Sequence, residues 1–95
     1  MRMTIAEKVA DVLSEIDRGP WHWADFDLIL MYLNDTYGYE PKSIPTIRRE
    51  LNKQAYRHRL ILGETKKTII YVWATRKDIK TTDILQEYLE LEYHD

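Results

Sequence analysis

SIPTIRRELNKQAYRH, residues 43–58, has the pattern of a helix with two unlike sides. At about 100° per residue, Ile44, Ile47, Leu51, Ala55 and His58 fall on one face. Pro45, Arg49, Asn52, Lys53 and Tyr56 fall on the opposite face, with Thr46 and Arg57 beside them. Ser43 suits the N-cap, and Pro45 is tolerated in a first turn, where no intrahelical N–H is needed. The spacing predicts a helix from Ile44 to about His58. A narrow apolar stripe anchors it, and Arg, Asn, Lys and Tyr point outward.

Charge is sorted around this helix. Residues 42–77 hold ten Lys/Arg against Glu50 and Glu64, about +8. Residues 1–41 hold three basic and eight acidic residues, and residues 78–95 hold one and six, about −5 on each flank. The net charge of −2 hides a basic block between two acidic ones. Such a block can be no more than a solvated surface. Carried on a helix and the hairpin after it, it is the electrostatic footprint expected of a nucleic-acid-binding surface.

Downstream, Leu60-Ile61-Leu62 and Thr68 to Ala74 read as strands rich in β-branched and aromatic residues. Gly63 to Lys67 forms the loop between them. Ile69, Tyr71 and Trp73 alternate with Ile70, Val72 and Ala74, so the second strand is apolar on both faces and is expected to be covered on both. Upstream, Thr4 and Glu7 form a capping box, followed by the stripe Ile5, Val9, Val12, Leu13 and Ile16 and a stop at Gly19-Pro20. A second helix is predicted from about Ala24 or Asp25 to Tyr37, the most buried of the set, with Gly38 as its C′ residue. Trp21 and Trp23 alternate as in a very short strand; their rings either close one end of a small core or meet a ligand. Residues 78–95 form a separate acidic helix or tail, with Ile84, Leu85, Tyr88, Leu89 and Leu91 on its apolar side. This helix would dimerise, pack on its own core, or shield the basic face.

Ninety-five residues suffice for one modest core burying somewhat over ~60% of the unfolded surface. The absence of cysteine excludes a disulfide framework and any thiolate metal site, and fits an intracellular, cytoplasmic protein. No apolar run reaches the ~20 residues needed to cross a bilayer, and Met1-Arg2-Met3-Thr4 leads into a charged amphipathic helix rather than a signal peptide. His22, His58 and His94 have no metal-ligand spacing, Ser14 and Ser43 lie in no nucleophile motif, and the three glycines form no phosphate loop. The sequence therefore predicts no enzyme, metal, cofactor or small-molecule ligand.

The order helix, helix, helix, hairpin, with a basic third helix and a basic hairpin tip, resembles the winged helix-turn-helix superfamily over roughly residues 4–77. The resemblance implies a mainly α, α+β winged-helix domain at residues 1–77, made of three helices and a two-stranded wing, with an extra C-terminal helix at 78–95. It implies sequence-specific binding of double-stranded DNA by a small transcriptional regulator, with the third helix in the major groove and the wing (63–68) on the backbone. Base-reading residues would be Thr46, Arg49, Asn52, Lys53 and Tyr56. Phosphate contacts would come from Lys42, Ser43, Arg57, Thr65, Lys66 and Lys67. Arg48 and Arg59, nearer the buried side, would pair with acids of the first two helices. A homodimer would form through Ile84, Leu85, Tyr88 and Leu89. Two other binding classes fit the same pattern: a protein-binding adaptor anchored by Trp21, Trp23 and Tyr56, and a reader of structured RNA by shape.

Overall fold

Thr4 opens the first helix as its sequence requires. Its hydroxyl accepts from the Glu7 amide at 3.2 Å, and its own amide donates to the Glu7 carboxylate at 3.1 Å. In the computed structural model, which describes residues 2–64, 66–73, 76 and 78–93 (side chains to residue 91), α1 spans Ile5–Asp17. β1 (Trp23–Asp25), α2 (Phe26–Thr36), a single 3-10 turn (Pro41–Ser43), α3 (Ile44–Gln54), β2 (Ala55–Leu62), β3 (Lys66–Trp73) and α4 (Thr81–Tyr93) follow. Among the described residues the chain is a small, mainly helical α+β domain of four α-helices and one three-stranded antiparallel sheet.

β3 is the central strand, in the order β1-β3-β2. Directly opposed residues share a face of the sheet. Ala24 pairs with Tyr71, and both join Val9, Val12, Leu13, Ile16, Ile29, Leu33, Ile47 and Leu51 in a core between the sheet and α1–α3. Trp23 pairs with Val72, and both join Leu60, Ile70 and Ile84 in a second core beneath α4. From Ile70 to Val72 the two apolar faces of β3 are thus covered, one by three helices and the other by α4, whereas Ile69 remains 39% exposed.

β1 adds a third strand to the expected hairpin, and it turns directly into α2. Asp25 ends the strand and caps the helix, its Oδ1 accepting from the Leu28 amide at 2.9 Å. Asp25→Ala is expected to cost about 0.5–2 kcal/mol in urea unfolding, the usual loss for a removed N-cap. At the far end, Gly38 has φ 74°, and its amide reaches back to the Leu33 carbonyl at 3.0 Å, closing α2 with the left-handed residue that its position predicts. The Tyr37 hydroxyl donates to Asp11 of α1, which raises its pKa above the ordinary phenol value.

Three expectations fail. α1 buries four residues and α2 two, so α1 is the more buried helix. α3 stops at Gln54 rather than near His58, because residues 55–62 gain a full ladder to β3. Ser43 precedes α3 without a side-chain capping bond, because it already belongs to the 3-10 turn, its amide bonded to the Glu40 carbonyl at 2.8 Å.

Candidate nucleic-acid interface

The inner side of α3 is fixed by Ile47 and Leu51, both buried, so Pro45, Arg49, Asn52 and Lys53 stand in solvent and Thr46 is half-buried at the edge. α3 passes into β2 without a loop, and the strand register sorts the next residues strictly. Arg57 opposes Tyr71, Arg59 opposes Ile69 and Ile61 opposes Lys67, all on the face that carries α1–α3. Tyr56 opposes Val72, His58 opposes Ile70, and Leu62 opposes Lys66, on the face that carries α4.

This divides the residues expected to act together. Arg49 and Asn52 share a shallow depression of about 380 Å³ with Ile44, Pro45 and Arg48. Arg48 also borders a groove of about 210 Å³ that Lys67 and Ile69 line from the hairpin and that Asp25, Phe26 and Asp27 line from the start of α2. Arg48 therefore bridges the helix face to the hairpin, joining Arg49, Asn52, Arg57, Arg59 and Lys67 on one side of the molecule. Tyr56 belongs to β2, not to α3, and points to the other side of the sheet, as does Lys66. Lys66 and Lys67 are strand residues rather than loop residues, because the ladder extends to Leu62–Lys66. Gly63, with φ 76°, supplies the turn. Thr65 lies outside the described residues. Lys42 and Ser43 line a different cleft, of about 590 Å³, between α1 and the α2–α3 turn.

Ion pairing further separates the bases. Lys42 lies 3.1 Å from Glu40, Lys53 lies 3.5 Å from Glu50, and Arg76 binds Asp17 through Nε at 2.8 Å and Nη2 at 3.2 Å. The hydrogen bond to Asp17 raises the Arg76 pKa above its ordinary value, and the same bonds tie Arg76, beyond the end of β3, to α1. Among the described residues, Arg48, Arg49, Arg57, Arg59, Lys66 and Lys67 form no ion pair. Arg48 instead stacks over the Phe26 ring, 4.1 Å from its centroid, which orients the charge without neutralising it. Neither Arg48 nor Arg59 makes the acid pair that its position on the sequence predicts; for Arg48 the aromatic ring at the start of α2 takes that place. The signal of Arg48 in the sequence is its spacing, four residues before Asn52 on the same helix side.

The other singled-out side chains have structural partners. His58 faces α4, with Nδ1 2.8 Å from the Thr81 hydroxyl, and burial lowers its pKa below the ordinary histidine value. Trp23 is 7% exposed and donates its indole N–H to Glu87 at 2.6 Å. Of the residues expected to dimerise, Ile84 is buried within its own chain, Leu85 and Tyr88 pack half-buried against the second core, and Leu89 is exposed. No helix among the described residues is long and apolar enough to cross a membrane.

Chemically, the α3–hairpin face offers positive charges on two rigid elements and an exposed Arg–Asn pair on one of them. Guanidinium and ammonium groups of this kind bind phosphate oxygens, and Arg and Asn can each make paired hydrogen bonds to a base edge. No protein-family model, curated protein or solved structure matches the chain.

Proposed function

We propose that this chain is a winged helix-turn-helix module that binds duplex DNA, acting as a small intracellular transcriptional regulator. α2 and α3 form the helix-turn-helix, and the β2–β3 hairpin forms the wing. The element order α1-β1-α2-α3-β2-β3 and the strand order β1-β3-β2 support this reading. The observation that carries it is the set of cations outside ion pairs among the described residues, Arg49 and Arg48 on the helix and Lys67 on the hairpin, gathered on one side of the molecule although Asp25 and Asp27 also line the groove between Arg48 and Lys67. Arg49 and Asn52 read base edges in the major groove. Arg57, Arg59 and Lys67 hold phosphates.

The test is anisotropy of a labelled random-sequence duplex titrated across salt. The affinity should fall linearly on a log–log plot with a slope of about −3 to −5, the counterion release of roughly four or five phosphates. A folded protein that does not bind at low salt overturns the proposal. That outcome favours the second reading, a protein-binding module, for which Ile61 at 60% exposure is the specific support.

A further inference from the structure

Arg57, Arg59 and Lys67 lie on one side of the sheet, and the acids of α4 lie on the other. The helix-side face of the hairpin interleaves Arg57, Arg59 and Lys67 with two apolar side chains, Ile61 at 60% and Ile69 at 39% exposure. Phosphate binding accounts for the cations but gives no reason for two exposed isoleucines among them. On the other side, α4 carries Asp83, Glu87 and Glu90 along one flank at i, i+4 and i+7, with Asp83 and Glu90 exposed and Glu87 half-buried. They line a cleft of about 410 Å³ with His22 and Trp23. Leu91, 45% exposed, borders the same arc. The Trp23 indole fixes Glu87 at 2.6 Å, so part of this acidic surface is already oriented.

The two surfaces match in charge and in apolar content, yet the chain cannot bring them together. α4 is held to the Leu60–Ile70–Val72 face of the sheet through Ile84, and Arg57, Arg59 and Lys67 lie on the reverse. The sheet itself separates them, so they can meet only between molecules. We infer that the acidic outer face of α4 is a docking surface for the basic, apolar face of the β2–β3 hairpin of a second copy of this chain. The contact joins two different patches and is therefore head-to-tail. Exposed ion pairs contribute little one at a time. Binding thus depends on several pairs closing together over Ile61, Ile69 and Leu91, and it weakens as salt screens the charges. This inference does not rest on DNA binding. Where both hold, a duplex and a second copy compete for the same hairpin face.

Sedimentation velocity of the full chain tests it at low and high ionic strength over a range of concentrations. The expected result is a sedimentation coefficient that rises with concentration at low salt and stays at the monomer value at high salt. Arg59→Glu with Lys67→Glu should abolish the rise, and so should Asp83→Lys with Glu90→Lys. Mixing the two charge-reversed chains should restore it, because each repels itself and attracts the other. All four positions are exposed. Should a reversed chain not fold, Ile61→Asp, at the most exposed apolar side chain on the hairpin, should give the same loss. A parent chain that stays monomeric at low salt overturns the inference. So does association that survives the reversals, or a mixture that fails to associate. DNA binding without self-association refutes this docking alone, and self-association without DNA binding refutes the duplex proposal alone.

Discussion

Trp23→Ala is expected to lower the unfolding free energy by about 3–5 kcal/mol, measured by urea titration. For 95 residues at ~0.05–0.15 kcal/mol each, that is a large share of the total stability. The size follows from three connections made by one side chain. The indole fills the second core beside Val72 and Ile84. Its ring lies 6.1 Å from that of Trp21 and 6.0 Å from that of Tyr88, so it links the loop after α1 to α4. Its N–H satisfies Glu87. Alanine leaves a cavity, an unpartnered carboxylate and an α4 that has lost its contacts to β1. Trp23→Phe keeps most of the packing and removes the hydrogen bond, so a smaller loss of about 1–3 kcal/mol is expected. An alanine variant that loses less than about 1 kcal/mol would show that α4 does not depend on this contact.

Arg49→Ala and Asn52→Ala should each cost about 1–3 kcal/mol at the base pair that residue reads, roughly five- to 150-fold in affinity for a selected site. Neither should change binding to a scrambled duplex nearly as much. Lys67→Ala should behave in the opposite way, weakening all duplexes alike and reducing the salt slope by about one. The contrast follows from the geometry. Arg49 and Asn52 stand on the outer face of α3, where a groove floor would lie, and Lys67 stands on the hairpin beside it. Competition titrations of selected against scrambled duplex measure both effects. If the Arg49 and Asn52 variants discriminate as well as the parent, the helix face has been assigned wrongly.

Where local chemistry decides the structure, the sequence was a sufficient guide. Thr4 with Glu7 specifies a helix start through two hydrogen bonds within four residues. Gly38 specifies a helix end, and the double alternation of residues 69–73 foreshadows burial on both sides, which holds for Ile70, Tyr71 and Val72 but not for Ile69. The end of α3 is not legible in the spacing, because Ala55 and His58 continue the helical period of Ile47 and Leu51. What overrides that spacing is the ladder to β3, a partner separated from it by a hairpin. The period-2 sequence Arg57, Arg59, Ile61 against Tyr56, His58, Leu60 was present throughout and, read as a strand, places Tyr56 away from Arg49. Arg76 shows the opposite limit. Its carboxylate partner, Asp17, lies 59 residues away, so no local pattern could remove it from the basic block.

The junction of Gln54 with Ala55 has no intervening loop. A residue added there would rotate the helix by a fraction of a turn and reverse the facing of every β2 side chain, turning Arg57 and Arg59 beneath α4 and Leu60 into water. Residues added after Gly63 would only lengthen the hairpin tip. Divergence in chain length among descendants of this sequence should therefore accumulate at the tip. The seam between helix and strand should keep its length even as the residues on either side of it change.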